Sequence, residues 1–164
     1  MEKHSISLYV NNKPGVLIRT SLVFARRGYN IDSLVVSIDS NNPKYSRMNI
    51  EATGDPDTLH LMLSQLNRLV DVIHARDLSD EDILQREMAL IKLHCPVNMR
   101  TELLQIADAF ASKTIDISED TITFQIAGSS EKINRAITLF QGYEILEVVR
   151  TGKVLMARGK EATA

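Results

Sequence analysis

His4, His60, His74, His94, Cys95 and the adjacent carboxylates Asp80, Glu81 and Asp82 are the side chains with the widest chemical reach in the sequence. Metal binding by histidine needs ligand spacing such as H-x-x-x-H on a helix, and these four fall in separate predicted elements at no such spacing. Cys95 precedes Pro96 at the end of a predicted strand, where a lone cysteine reads as a packing residue. The three carboxylates lie in an acidic stretch that reads as solvated charge. Neither a Gly-x-Ser-x-Gly elbow nor a glycine-rich phosphate loop is present. No constellation holds a nucleophile against a base, so no catalytic residue and no metal site are predicted.

Asn12-Lys13-Pro14-Gly15 offers different chemistry. An alternating strand ends here and an apolar helical pattern begins. The first N–H groups of a helix lack intrahelical acceptors and carry the positive end of its dipole. A carboxylate could therefore sit on the N–H groups of Gly15, Val16 and Leu17. Gly15 has no Cβ to keep a ligand from the backbone. Asn12 ends the strand and Asn30 opens the next one. Their amides donate and accept, which suits a zwitterion carrying NH3+ and COO−. The plainer alternative is that Asn12 caps the helix and Asn30 turns the chain.

The elements that must position these residues follow from periodicity. Residues 4–12 alternate, with Ile6, Leu8 and Val10 on one face and Ser5, Ser7 and Tyr9 on the other. Val16, Leu17, Thr20, Val23 and Phe24 make a helix stopped at Gly28. Strands are predicted at 31–38 and 46–53, the second with Met48, Ile50 and Ala52 inward and Arg47, Asn49 and Glu51 outward. Pro56 opens a helix striped by Leu59, Met62, Leu63, Leu66 and Leu69, and a short strand follows at 70–76. The order then repeats. A strand at 87–95 precedes a helix over 100–112, strands at 114–118 and 121–127, a helix capped at Gly128-Ser129-Ser130, and a strand at 144–150, with 153–158 as a further strand candidate. The expected fold class is α+β, two ferredoxin-like βαββαβ units, each an antiparallel sheet with two helices on one face. The expected boundaries are 1–77, a linker at 78–86, and 87–164.

The 164 residues carry a net charge of −2, which argues against a large nucleic-acid footprint. Base stacking on a βαββαβ sheet needs aromatic residues on the middle strands. The strand at 46–53 has none, and the strand at 121–127 has only Phe124, on its apolar face. No run approaches the roughly 18 apolar residues of a membrane span. A single cysteine rules out an internal disulfide framework, so cytoplasmic location is the expectation.

"NNKPGVLIRTSLVFARRGYNIDSLVVS" with "SRMNIEATGD" resembles the N-terminal ACT domain of the small regulatory subunit of acetohydroxyacid synthase (acetolactate synthase). "LNRLVDVIHARDLS" and "REMALIKL" extend the likeness across the linker, and it covers essentially the whole chain. The resemblance implies a non-catalytic subunit with no cofactor of its own. Its partner would be a catalytic subunit using thiamine diphosphate, Mg2+ and FAD in branched-chain amino-acid synthesis. The chain would activate that partner and confer feedback inhibition by valine. ACT domains of this family pair as homodimers, merging two sheets into one of eight strands, with the effector at the interface. Carried over by motif, the effector-binding positions are Asn12, Gly15, Val16, Leu17, Asn30 and Ile31. Ser37 joins them as a position where the family often has alanine and where substitution affects sensitivity. Exposed positions near Arg47 and Glu51 are candidates for the catalytic-subunit surface. Two other readings stand beside this one. A small enzyme of acylphosphatase type would need an arginine in the loop after strand one, whereas Arg19 lies inside the helix. A free-standing amino-acid sensor would need a DNA-binding segment, and none is visible.

Overall fold

The computed structural model describes residues 1–164. The chain divides into two compact units. The first comprises Met1–Leu84 and Gly152–Ala164, and the second, Gln85–Thr151, is inserted between them.

The first unit runs β1 (Glu2–Asn11), α1 (Val16–Arg26), β2 (Asn30–Ile38), β3 (Tyr45–Gly54), α2 (Leu59–Asn67) and β4 (Val72–Asp77). Its sheet is antiparallel in the order β2-β3-β1-β4, leaving β2 and β4 as edges. The period-two pattern of β1 sends Ile6, Leu8 and Val10 inward beside Met48, Ile50 and Ala52 of β3. There they pack on Val16, Val23 and Phe24 of α1 and on Met62 and Leu66 of α2. A short 3-10 turn, Pro56–Thr58, leads into α2, and the Asp55 carboxylate accepts from the Asp57 N–H at 3.1 Å. At the end of β3 the Tyr29 ring lies where a side chain on Gly54 would go, 2.2 Å from an ideal Cβ. Tyr29 is pinned there by its hydroxyl, which donates to the Asp55 carbonyl. Gly54→Ala is therefore expected to destabilise the first unit by about 1–3 kcal/mol, the usual range for overpacking. A urea midpoint equal to that of wild type would contradict this contact.

The face of this sheet away from the helices is less exposed than its polar sequence suggests. Ser5, Ser7, Asn49 and Glu51 are buried, and Glu51 accepts from Ser5 Oγ and pairs with Lys153 Nζ at 2.9 Å. Of the exposed positions expected near Arg47 and Glu51, Glu51 is therefore enclosed. Tyr9 donates to Asp39 Oδ2 at 2.6 Å, and the Arg47 guanidinium lies 4.9 Å above the Tyr9 ring. The Tyr9 hydroxyl and then the Asn41 N–H hold the Asp39 carboxyl below the ordinary aspartate value. A lowered folded pKa contributes stability that is present above the unfolded value of about 3.9 and lost as pH falls through the folded value. Tyr9→Phe is expected to be less stable than wild type at pH 7. The gap should close as pH falls below about 4, which thermal melts across pH would show.

The structure divides the chain differently from the boundaries expected from sequence, because apolar anchors sit where a linker was expected. Leu78 and Ile83 lie within 78–86, yet they are buried with Leu155 in a small cluster of their own. The short strand β9 (Val154–Ala157) thus lies in the first unit, and Arg158 pairs with Asp82 at 3.0 Å.

The second unit contains most of β5 (Ile83–His94), with α3 (Arg100–Ala109), β6 (Lys113–Ile117), β7 (Thr121–Gly128), α4 (Ser130–Phe140) and β8 (Ile145–Arg150). The strand order β6-β7-β5-β8 repeats that of the first unit's sheet, and β9 pairs in addition with β5, which begins in the first unit. Ala89, Ile91 and Leu93 pack with Ile122, Phe124 and Ile126 against Leu103, Ala107, Ile133, Ala136 and Phe140. Cys95 is buried in this core. Ser129 caps α4, accepting from the Lys132 N–H at 3.2 Å.

Candidate functional site

Four of the sequence-predicted positions meet where β1 hands over to α1. Gly15 stands at the N-cap with φ +83°, a left-handed conformation that side chains rarely adopt, and its carbonyl accepts the first helical bond, from Arg19 N–H at 3.1 Å. No side chain caps α1. Among its first three N–H groups only that of Val16 finds an acceptor, the Lys13 carbonyl at 3.4 Å. The Val16 side chain belongs to the core, so only its backbone faces the junction, while Leu17 is half-exposed beside it.

Asn12 does not cap the helix. Its Nδ2 donates to the Pro43 carbonyl at 3.0 Å, and its N–H donates to the Lys44 carbonyl at 2.8 Å. These bonds tie the β1–α1 junction to the β2–β3 loop and leave Asn12 Oδ1 as an acceptor.

Arg19 is the residue that sequence spacing understated. It sits inside α1, yet its guanidinium folds back over Gly15, with Nη1 2.7 Å from the place of a Cβ on that glycine. Asp71 fixes it there, accepting from Nε at 2.8 Å and from Nη2 at 2.6 Å. The signal was available. Positions four apart share a helix face, and a side chain leans toward the turn before it. The junction therefore presents free N–H groups, an arginine cation and a carbonyl-type acceptor around a glycine, which is a set of contacts for a small carboxylate bearing an ammonium.

Asn30 and Ile31 lie elsewhere in this chain. Asn30 is opposite Thr53, which is opposite Lys3, so it stands at the far end of the sheet from Asn11. Eight residues of strand separate the two ends, roughly 26 Å. Asn30 Nδ2 donates to Asp32 Oδ1, and Thr53 Oγ1 donates to Asp32 Oδ2 at 2.5 Å. Thr53, and with it Asn30, holds the Asp32 carboxyl below the ordinary aspartate value. Ser37 is exposed near the other end of β2, opposite Arg47 and hence in line with Tyr9. One chain thus assembles Asn12, Gly15, Val16 and Leu17 but not Asn30, Ile31 or Ser37.

No group of three or more histidine, cysteine, aspartate or glutamate side chains converges to hold a metal ion. No helix is long and apolar enough to cross a membrane.

Comparison with known proteins places both units. Residues 6–74 match the family model for the AHAS small subunit-like ACT domain, and residues 86–159 match that for the small subunit of acetolactate synthase. The chain is 40% identical over 159 residues to the probable acetolactate synthase small subunit of Methanothermobacter thermautotrophicus, covering 96% of this chain and 94% of that protein. The acetolactate synthase small subunit of Aquifex aeolicus is also 40% identical over 159 residues, with coverage of 96% and 82%. The crystal structure of the acetolactate synthase small subunit from Thermotoga maritima superposes with a TM-score of 0.86 at 34% identity, over 98% of this chain and 100% of that one.

Proposed function

Because the chain belongs to the family of acetolactate synthase small subunits, we propose that it is the regulatory partner of a thiamine-diphosphate-, Mg2+- and FAD-dependent catalytic subunit. It activates that subunit and confers feedback inhibition by valine or a close branched-chain relative. It contributes no catalytic group of its own. The observation that carries the effector site is the junction at Gly15, where α1 begins without a side-chain cap and Arg19 lies over the glycine. The ligand carboxylate takes the helix N–H groups and Arg19. Its ammonium takes asparagine oxygens, and its branched side chain lies against Leu17.

The split of the predicted site between two ends of one sheet supports a homodimer. Edge strand β2 exposes Val36 and Ile38 on its helix-side face, and Asp32 is bulged out of its ladder with β3. An edge of unpaired N–H and C=O groups is a template for another strand. Suppose that β2 pairs antiparallel with β2 of a second copy about Leu34, its middle residue. Skipping the bulged Asp32 then sets Ile31 of one copy opposite Val36 of the other, and Asn30 opposite Ser37. That register matches apolar residue to apolar residue on the helix side. It also brings Asn30, with the anionic Asp32 beside it, toward the other copy's Asn12–Gly15 end. The two predicted clusters become one site, repeated twice about the axis. An effector seated there biases one arrangement of two subunits over another, and its differential affinity limits the shift it produces.

A thermal-shift screen of the chain against the twenty amino acids tests this reading. A ligand that binds only the folded state stabilises it by about 2.7 kcal/mol at a hundredfold excess over its Kd. A shift confined to valine and its branched relatives is expected. A flat response for the chain alone and for its complex with the catalytic subunit would refute effector sensing.

A further inference from the structure

A groove of about 400 Å3 runs between α1 and α2 on the first unit, lined by Val23, Arg26, Arg27, Gln65, Arg68 and Leu69. Its three guanidinium groups stand out among the arginines of the chain. Arg19, Arg47, Arg76, Arg135, Arg150 and Arg158 each hold a carboxylate. Arg86 and Arg100 donate to main-chain carbonyls. Arg27 is tethered only through Nε to Gln65 Oε1 at 3.2 Å, and Arg26 and Arg68 have no partner within the chain. A protein with more acidic than basic residues, 21 against 19, has thus gathered three cations with no paired carboxylate around one groove. The negative ends of the two helices favour cations, and Arg26 in the last turn of α1, Arg27 at its C-cap and Arg68 at the C-cap of α2 all stand there. Those ends alone do not account for three facing one hollow, where like charges repel.

We propose that this groove docks a carboxylate-rich segment of the catalytic subunit. The inference rests on the regulatory reading above and supplies its contact surface. Planar guanidinium groups suit bidentate carboxylate recognition, and Val23 and Leu69 give the floor an apolar strip for side-chain stems. Arg26 and Arg68 are exposed. A small free anion would stay largely wetted there, whereas small-molecule sites enclose most of their ligand. A polypeptide segment laid along the two helices would cover all three heads. Docking through exposed charge speeds association and is screened by salt, since the Debye length is about 10 Å at 0.1 M.

The test uses the purified full chain and its cognate catalytic subunit, with affinity read at low and high salt. Arg26→Glu/Arg68→Glu is expected to weaken binding on the order of tenfold or more at low salt and to flatten the salt dependence. Arg26→Lys/Arg68→Lys is expected to keep most of both. The valine-induced thermal shift should survive in each variant, which shows that the fold and the effector site are intact. If wild type binds and the Glu pair binds equally with the same salt slope, the groove is not the docking surface, although the regulatory reading stands. If wild type does not bind the catalytic subunit at any salt, both fall together. If pyrophosphate raises the melting temperature of wild type but not of the Glu pair, and docking is unchanged, the groove serves a free anion and the proposal is overturned.

Discussion

Gly15→Asp is expected to abolish the valine response while leaving the chain folded. The position looks hostile to any side chain, with φ at +83° and Arg19 Nη1 where the Cβ would go. An aspartate there nonetheless has compensations. It occupies the N-cap of an uncapped helix, where a carboxylate accepts from the second or third N–H at a gain of about 0.5–2 kcal/mol. Aspartate also visits left-handed backbone more readily than most residues, and the obstructing atom belongs to a long side chain that an anion attracts. The variant thus fills its own anion seat. The ligand loses charge-assisted bonds worth about 1.5–3 kcal/mol each and meets a like charge, so its Kd should rise about a hundredfold or more. Gly15→Ala carries the same Cβ without the carboxylate, and at φ +83° it meets more backbone strain than aspartate does. It should retain measurable binding. Titration calorimetry on both variants separates charge from bulk, and equal losses in the two would contradict the assignment of the ligand carboxylate to this helix end. Asn30→His should act more mildly, because it removes only the hydrogen-bonding amide that a second copy would contribute in the proposed dimer.

The second large effect lies in the inserted unit. Glu87 has a side chain only 4% exposed, and it accepts from Arg150 Nε at 2.7 Å and from Ser130 Oγ at 2.6 Å. Arg150 also donates to Asn134 Oδ1 at 2.6 Å, so one arginine joins β8, β5 and α4. Arg150→Ala leaves a buried carboxylate with a single hydroxyl donor. Breaking such a pair from one side costs about 3–5 kcal/mol, and the lower end applies because Arg150 is one-third exposed. Replacing both, as Glu87→Gln with Arg150→Met, removes the stranded charge and should recover most of that loss. Urea unfolding of the two variants decides the matter. A double variant no better than Arg150→Ala would mean that packing by the arginine stem, not the buried charge, carries the effect.

Glu87 also shows where reading the sequence stops. It ends "DLSDEDILQRE", an acidic stretch with no period of its own, and so it read as the margin of a linker. Its burial depends on Arg150 and Ser130, 63 and 43 residues away, and no local pattern encodes such a pairing. Leu78 and Ile83 in the same stretch escaped for a related reason. Two isolated apolar residues carry no periodicity, and their third partner is Leu155. The elements around the proposed effector junction were legible because each has an apolar face at its own period. In sequence β1 alternates apolar Ile6, Leu8 and Val10 with Ser5, Ser7 and Tyr9, α1 buries Val16, Thr20, Val23 and Phe24, and a Pro-Gly pair punctuates the handover. What the sequence withheld was that Asn30 and Gly15 sit at opposite ends of one sheet. Both lie close to α1 in sequence, one before it and one after, and sequence proximity concealed the length of the helix between them. The motif likeness grouped them as one site, whereas the strand register separates them within a chain.

The central claim is that this chain regulates a catalytic subunit in response to a branched-chain amino acid. The most direct measurement is acetolactate formation by the purified cognate catalytic subunit, alone and with this chain, with and without valine. The account predicts that the chain raises the rate, that valine lowers the raised rate, and that Gly15→Asp keeps the activation while losing the inhibition. A rate unchanged by the chain, or valine inhibition that persists undiminished with Gly15→Asp, would contradict it.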